Sequence, residues 1–172
     1  HTDYIYLQEV LGEKYAARFV SAQHLIADFH GERVAGEIIE FSKIGQITRR
    51  GIERALSNEV ITPGKTSLKE VSMWLEEYRE ANGLQRAWYP GVGIRRSGGA
   101  RPQHGVDSVI QRGDILSSDW GGIRNNFGTD IKRFAYVLRE GEEVPPPDIV
   151  AAFEVAKDIA DIIRHNVRSG RT

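Results

Sequence analysis

The chain has no cysteine among its 172 residues. Disulfides and thiolate metal sites are thereby excluded. No stretch approaches the roughly 18 apolar residues that a membrane-spanning helix needs, and no leader peptide is expected from the opening residues. Neither sign of charge dominates: 23 Lys and Arg stand against 24 Asp and Glu, for a net charge of -1. Binding to nucleic acid or to an anionic membrane through bulk electrostatics is therefore not expected. Taken together, these absences lead us to expect a cytoplasmic protein. The chain opens on His1 rather than Met, so a natural start further upstream is expected.

What is present suits a folded domain: 40% of residues are hydrophobic and 27% charged. A chain of this length can bury a sizeable core. Residues 4 to 28 read as mostly helical and are interrupted at His30-Gly31. From Val34, the residues Ile38, Phe41, Ile44, Thr48, Ile52, Ala55 and Leu56 recur mostly at steps of three and four. That spacing predicts one apolar helix stripe, which stops before Thr62-Pro63-Gly64. A second helix follows, with Ser67 and Glu70 at capping-box spacing. Its stripe is Val71, Trp74, Leu75 and Tyr78, and Asn82-Gly83 is its stop. Val92 and Ile94 alternate in a short strand. Ile115–Trp120 and Thr129–Arg139 read as two strands joined by a polar connection, Gly121 to Gly128. A third helix is expected from Asp148 as N-cap, with a stripe through Ile149, Phe153, Ala156, Ile159, Ala160, Ile163 and Val167.

The ends of two helices are alike. Pro63-Gly64-Lys65-Thr66 follows the first, and Ser169-Gly170-Arg171-Thr172 follows the third. Either a second copy of one unit opens there, or two helices end in glycine by coincidence.

The chemistry is concentrated in Asp119-Trp120-Gly121 and Thr129-Asp130-Ile131-Lys132-Arg133. If the connection turns at Arg124-Asn125, Asp119 and Asp130 face each other across the ladder, with Cβ atoms roughly 4.5–5.5 Å apart. If it turns at Asn125-Asn126, they are diagonal neighbours on one face. Like charges so placed repel unless water or a cation lies between them. A divalent cation suits carboxylate oxygens, and one carboxylate can bridge two ions. The bland alternative is solvated surface charge, neutralised by Lys132 or Arg133.

The run Gly113-Asp114, Asp119-Trp120-Gly121, Phe127-Gly128-Thr129-Asp130 and Arg133 resembles the signature of the pita-bread metallopeptidases, the aminopeptidase P, prolidase and creatinase family related to methionine aminopeptidase. Ser97 to Gly105 is similar to that family's Gly-rich loop. The helix around Glu37-Ile38-Ile39, followed by Pro63-Gly64-Lys65-Thr66, resembles the domain's opening.

The resemblance implies an α+β fold class: half of a pita-bread (creatinase/aminopeptidase) fold, with long helices packed on a curved antiparallel sheet. It implies that residues 1–33 are a connecting helix or the tail of a preceding domain, and that residues 34–172 are the N-terminal half of a catalytic domain. It implies two divalent ions (Mn, Co or Zn) in the intact protein, with Asp119 and Asp130 as metal ligands. His104 would be the catalytic, substrate-side histidine, donating to the scissile carbonyl or its oxyanion. A peptide substrate, cleavage of an N-terminal bond of the Xaa-Pro type and a homodimer follow from the same resemblance. The family completes its site with a histidine and two glutamates, and nothing after Asp130 matches them. The chain alone is therefore expected to be inactive. Two alternatives remain open: a non-catalytic peptide- or protein-binding module, and a creatinase-like C–N hydrolase or lyase on the same metal site.

Overall fold

The computed structural model describes residues 2–96, 105–168 and 170. It has two compact units, His1–Glu40 and Phe41–Thr172.

The first unit contains α1 (Thr2–Ala16) and α2 (Gln23–Gly31). Gly12 leaves helical geometry inside α1, at φ 71° and ψ 166°, a conformation glycine tolerates because it has no Cβ. Helix α2 ends at Gly31, where the sequence suggests an interruption, and a second break that the sequence did not suggest falls between Ala16 and Gln23. Ser21 Oγ accepts from Gln23 N at 3.2 Å and marks the start of α2. α2 then runs through His30, a basic residue in its last turn, where the helix dipole favours it. No residue of α2 is buried.

α3 (Ala35–Ala55) crosses between the units, and its buried residues, Ile44, Thr48, Gly51, Ile52 and Ala55, all belong to the second. They recur at helical spacing and form one face. Ile38 and Phe41, expected on the same stripe, are 56% and 45% exposed. α4 (Leu68–Ala81) begins at a complete capping box. Ser67 Oγ accepts from Glu70 N at 3.3 Å, and Glu70 Oε2 accepts from Ser67 N at 2.7 Å. The Ser67 backbone and side-chain hydrogen bonds hold the Glu70 carboxyl below its ordinary pKa. Leu68, Val71 and Leu75 are buried, with Trp74 and Tyr78 packed beside them.

Among the described residues, six short strands follow: β1 (Gln85–Arg86), β2 (Gly91–Arg95), β3 (Ile115–Trp120), β4 (Gly122–Arg124), β5 (Phe127–Gly128) and β6 (Ile131–Tyr136). They form two antiparallel sheets, ordered β1-β4-β5 and β2-β3-β6. The core joins α3 and α4 to the second sheet through Ile52, Leu75, Ile94, Leu116 and Trp120. Each such side chain contributes about 1.5–3 kcal/mol on burial.

α5 (Pro147–Asn166) starts two residues earlier than the sequence suggests. Pro146 is its N-cap, and Asp148 lies in the first turn without capping it. Proline at the first helical position has its φ pre-set and no N–H to satisfy. The apolar stripe of α5 is present, but none of its residues is buried.

Candidate metal centre

The hairpin between β3 and β6 is built around its turn. Asn125 and Asn126 both have positive φ, 53° and 63°. Two left-handed residues in a two-residue loop match the twist of the flanking strands, and asparagine tolerates that conformation better than most residues. One register runs from the turn through both sheets: Arg124 faces Phe127, Ile123 faces Gly128, Trp120 faces Ile131, and Asp119 faces Lys132. The turn at Arg124-Asn125, with Asp119 directly opposite Asp130, is therefore corrected to the one-residue-shifted alternative. Asp130 falls opposite Gly121 and is the diagonal neighbour of Asp119, a position roughly 7–8 Å away between Cα atoms. The expected polar connection from Gly121 to Gly128 is in fact a continuation of the ladder as β4 and β5.

The hairpin bends where the two carboxylates lie. A Cβ on Gly121 would stand 1.8 Å from the Thr129 carbonyl oxygen, so only glycine fits there. Thr129 is 4% exposed. Its Oγ1 accepts from Gly122 N at 3.1 Å and its own N–H donates to the Gly122 carbonyl at 3.0 Å. This clasp fixes the residue just before Asp130. Upstream, the Gly113-Asp114 turn anchors the other end of β3. Asp114 is buried, and its carboxylate accepts from Arg96 Nε at 2.9 Å and from Gln111 N at 2.7 Å.

A cation already lies at Asp119. Lys132 Nζ is 2.9 Å from Asp119 Oδ2. The Lys132 pKa is raised, first by the hydrogen bond it donates to Asp119, then by that carboxylate's charge, with the Asp130 charge adding to it. The ammonium thus feels both carboxylates. Arg133, the other candidate neutraliser, is paired with Ser118 across the ladder and so belongs to the opposite face. The sequence names Lys132 as a possible neutraliser but not as the one residue directly opposite Asp119. The period-two alternation that puts Lys132 and Asp130 on one edge was the available signal.

Beside this pair is a cavity of about 660 Å³. Met73, Tyr89, Pro90, Val92 and Val106 line it, and Asp119 and Lys132 close one end. Gly91 faces Asp119 from β2, so no side chain on that strand stands over the carboxylate. The sequence reading missed this wall, because Met73 and Tyr89 come from separate elements. His104 lies outside the described residues.

The donor set fits part of a divalent-ion site. The register puts both hard carboxylates on one face of the hairpin, and the Lys132 ammonium is paired with one of them. Among the described residues, no group of three or more His, Asp or Glu could hold a metal ion. Asp119 and Asp130 therefore supply a portion of a coordination shell that hard ions fill with about six ligands.

The structure is an α+β domain in which one hairpin carries both carboxylates, Asp119 lining an apolar cavity. Residues 40–172 match metallopeptidase family M24, and the chain belongs to that family. It is 28% identical, over 104 residues, to a Mycoplasma pneumoniae protein provisionally named as a Xaa-Pro aminopeptidase, covering 59% of this chain and 28% of that protein. Among solved structures it is similar to the prolidase of Pyrococcus furiosus, with a TM-score of 0.62 and 26% identity over 78% of this chain and 38% of that one. The Thermotoga maritima X-Pro aminopeptidase gives a TM-score of 0.64 at 20% identity, covering 82% of this chain and 38% of that one. The Thermococcus sibiricus prolidase gives 0.66 at 20% identity, covering 87% and 39%. The fold is thus the corresponding part of the pita-bread fold, and the chain spans well under half of each of these relatives. Among the described residues, no helix is long and apolar enough to cross a membrane.

Proposed function

We propose that the intact protein containing this chain is a metal-dependent peptidase that removes an N-terminal residue, with a preference for Xaa-Pro bonds. Family membership supports peptidase chemistry. The Xaa-Pro preference rests on the likeness to the Mycoplasma pneumoniae Xaa-Pro aminopeptidase and to the Pyrococcus furiosus prolidase. The single observation that carries the metal reading is the register that puts Asp119 and Asp130 on one face of one hairpin, with the Lys132 ammonium paired to Asp119.

In this reading Asp119 and Asp130 hold metal, and two divalent ions (Mn, Co or Zn) complete the site with ligands from outside the described residues. Bound there, the ions would polarise a carbonyl and acidify water. The chain's own residues do the rest. Gly121 and Thr129 fix the bend that sets the separation of the carboxylates. Tyr89, Pro90 and Val92 offer an apolar wall that excludes water and receives an apolar side chain or ring beside the reacting bond. His104, on the Gly-rich loop, donates to the substrate oxygen. A homodimer belongs to the same reading, as does residues 1–33 serving as the tail of a preceding domain.

The Lys132–Asp119 ion pair favours one second reading: a metal-free module that binds peptides in the same cavity without cleaving them. Metal analysis and a peptidase assay on the intact protein separate the two. The catalytic reading expects bound divalent metal and turnover of an Xaa-Pro peptide, with at least about a hundredfold loss in Asp119→Ala and Asp130→Ala, in line with the loss of a metal-ion catalyst. Undiminished turnover in the double variant would remove the mechanism.

A further inference from the structure

Lys132 stands where the metal reading needs an ion, and this inference rests on that reading. The residue is not distant surface charge. It is the residue directly opposite Asp119 in the ladder, and its ammonium is within hydrogen-bond distance of one of the two carboxylates expected to bind metal. Its side chain is 56% exposed, against 41% for Asp119. A four-carbon stem with that exposure is free to swing its ammonium into water.

We propose that Lys132 is a built-in competitor for the metal, its ammonium serving as the counter-ion of Asp119 and Asp130 until a divalent ion displaces it. Two consequences follow. Without metal, the hairpin keeps its carboxylates compensated and its bend intact. With metal, the ammonium must leave a dication it repels, so the site fills only at a higher metal concentration than the two carboxylates alone would require. An exposed ion pair is weak enough for the exchange to be reversible. The lysine therefore sets a threshold for metal uptake and does not block it.

The test is a Mn²⁺ titration of the intact protein, read as paramagnetic broadening of the amide signals at Asp119, Asp130 and their strand neighbours. That readout reports millimolar binding and needs no activity. Lys132→Met keeps the length of the side chain and removes the charge. Lys132→Arg keeps the charge. Asp119→Asn removes a ligand. The expected result is a Kd about tenfold lower in Lys132→Met than in wild type, the scale of a lost ion pair plus relieved repulsion, with Lys132→Arg within about threefold of wild type. The amide spectrum of each variant without metal shows that the hairpin is folded. If Lys132→Met binds no more tightly than wild type while Asp119→Asn abolishes the broadening, this inference fails and the metal reading stands. If no variant shows broadening at these residues, both fail.

Discussion

The two faces of the β2-β3-β6 sheet obey different physics. On one face Leu116, Ser118 and Trp120 are fully buried, and α3 and α4 cover them. On the other, Ser117 and Asp119 of β3 are half-buried, and their partners Phe134 and Lys132 on β6 are exposed. A single alternation along β3 divides the residues between the faces. Shape governs the covered face: a Cβ on Gly51 would lie 2.6 Å from Trp120 Cζ3 and 2.8 Å from Tyr78 Cδ1. Charge governs the open face, where water screens the carboxylates and leaves them available to a cation. A pair of aspartates could not sit on the covered face without a large desolvation cost. Rigidity on one side is what allows like charges to be held at a fixed separation on the other.

The largest effect that would sharpen this contrast is Trp120→Ala, which should cost about 3–5 kcal/mol in denaturant unfolding. Its neighbour Asp119→Asn should cost no more than about 1 kcal/mol in the metal-free chain. Equal losses would break the comparison.

The two ion clusters should differ in the same way. Glu76 and Arg79 have side chains only 11% and 7% exposed, whereas Lys132 and Asp119 are 56% and 41% exposed. Glu76→Gln should therefore cost about 2–3 kcal/mol near neutral pH, somewhat less than a fully buried pair because Arg86 reaches it from solvent. Burial pushes the Glu76 pKa up, but hydrogen bonds from Arg86 and Arg79 outweigh burial and hold it below the ordinary glutamate value. A depressed folded pKa stabilises fully above the unfolded value of about 4.3 and stops doing so as pH falls through the folded value. The gap between wild type and Glu76→Gln, measured by urea unfolding, should be constant above about pH 5 and narrow as the pH falls through the unfolded value towards the depressed folded one. A gap that does not narrow as the pH falls below the unfolded value would contradict the assignment.

Gly51→Ala comes next. Alanine gains about 1 kcal/mol in helix propensity, while overpacking against two rings costs typically 1–3 kcal/mol. The clash is with ring atoms that are themselves packed, so overpacking should win and the melting temperature should fall. The smallest effect belongs to the open face. Phe134 is 68% exposed, so Phe134→Ser should change stability by no more than about 0.5 kcal/mol. A larger loss would mean that this face is covered.

Much of the covered face was legible in the sequence. The stripes of α3 and α4, the Ser67–Glu70 capping box, the Asn82-Gly83 stop and the bounds of β3 all arise from local periodicity and end chemistry. The candidate site was legible only in part. Asp119 and Asp130 stood out by type and spacing, but their register did not, because the glycines at 121 and 122 hid β4 inside a polar run. Those glycines are demanded by contacts with Thr129 and Leu84, residues far away or across the ladder. The turn at Asn125-Asn126 was one of two options that local rules could not separate. The α5 stripe shows another limit: amphipathic spacing says that a face is apolar, not that anything covers it. The kink at Gly12 and the break before α2 lie in a unit without a buried residue among those described. Periodicity has little to report there.

The central claim is that Asp119 and Asp130 share a cation, and anomalous diffraction at the manganese edge from Mn²⁺-soaked crystals of the intact protein tests it most directly. The account predicts an anomalous peak within bonding distance of both carboxylates, with the Lys132 ammonium turned away from Asp119. No peak between them, with Lys132 still bound to Asp119 at saturating Mn²⁺, would contradict it.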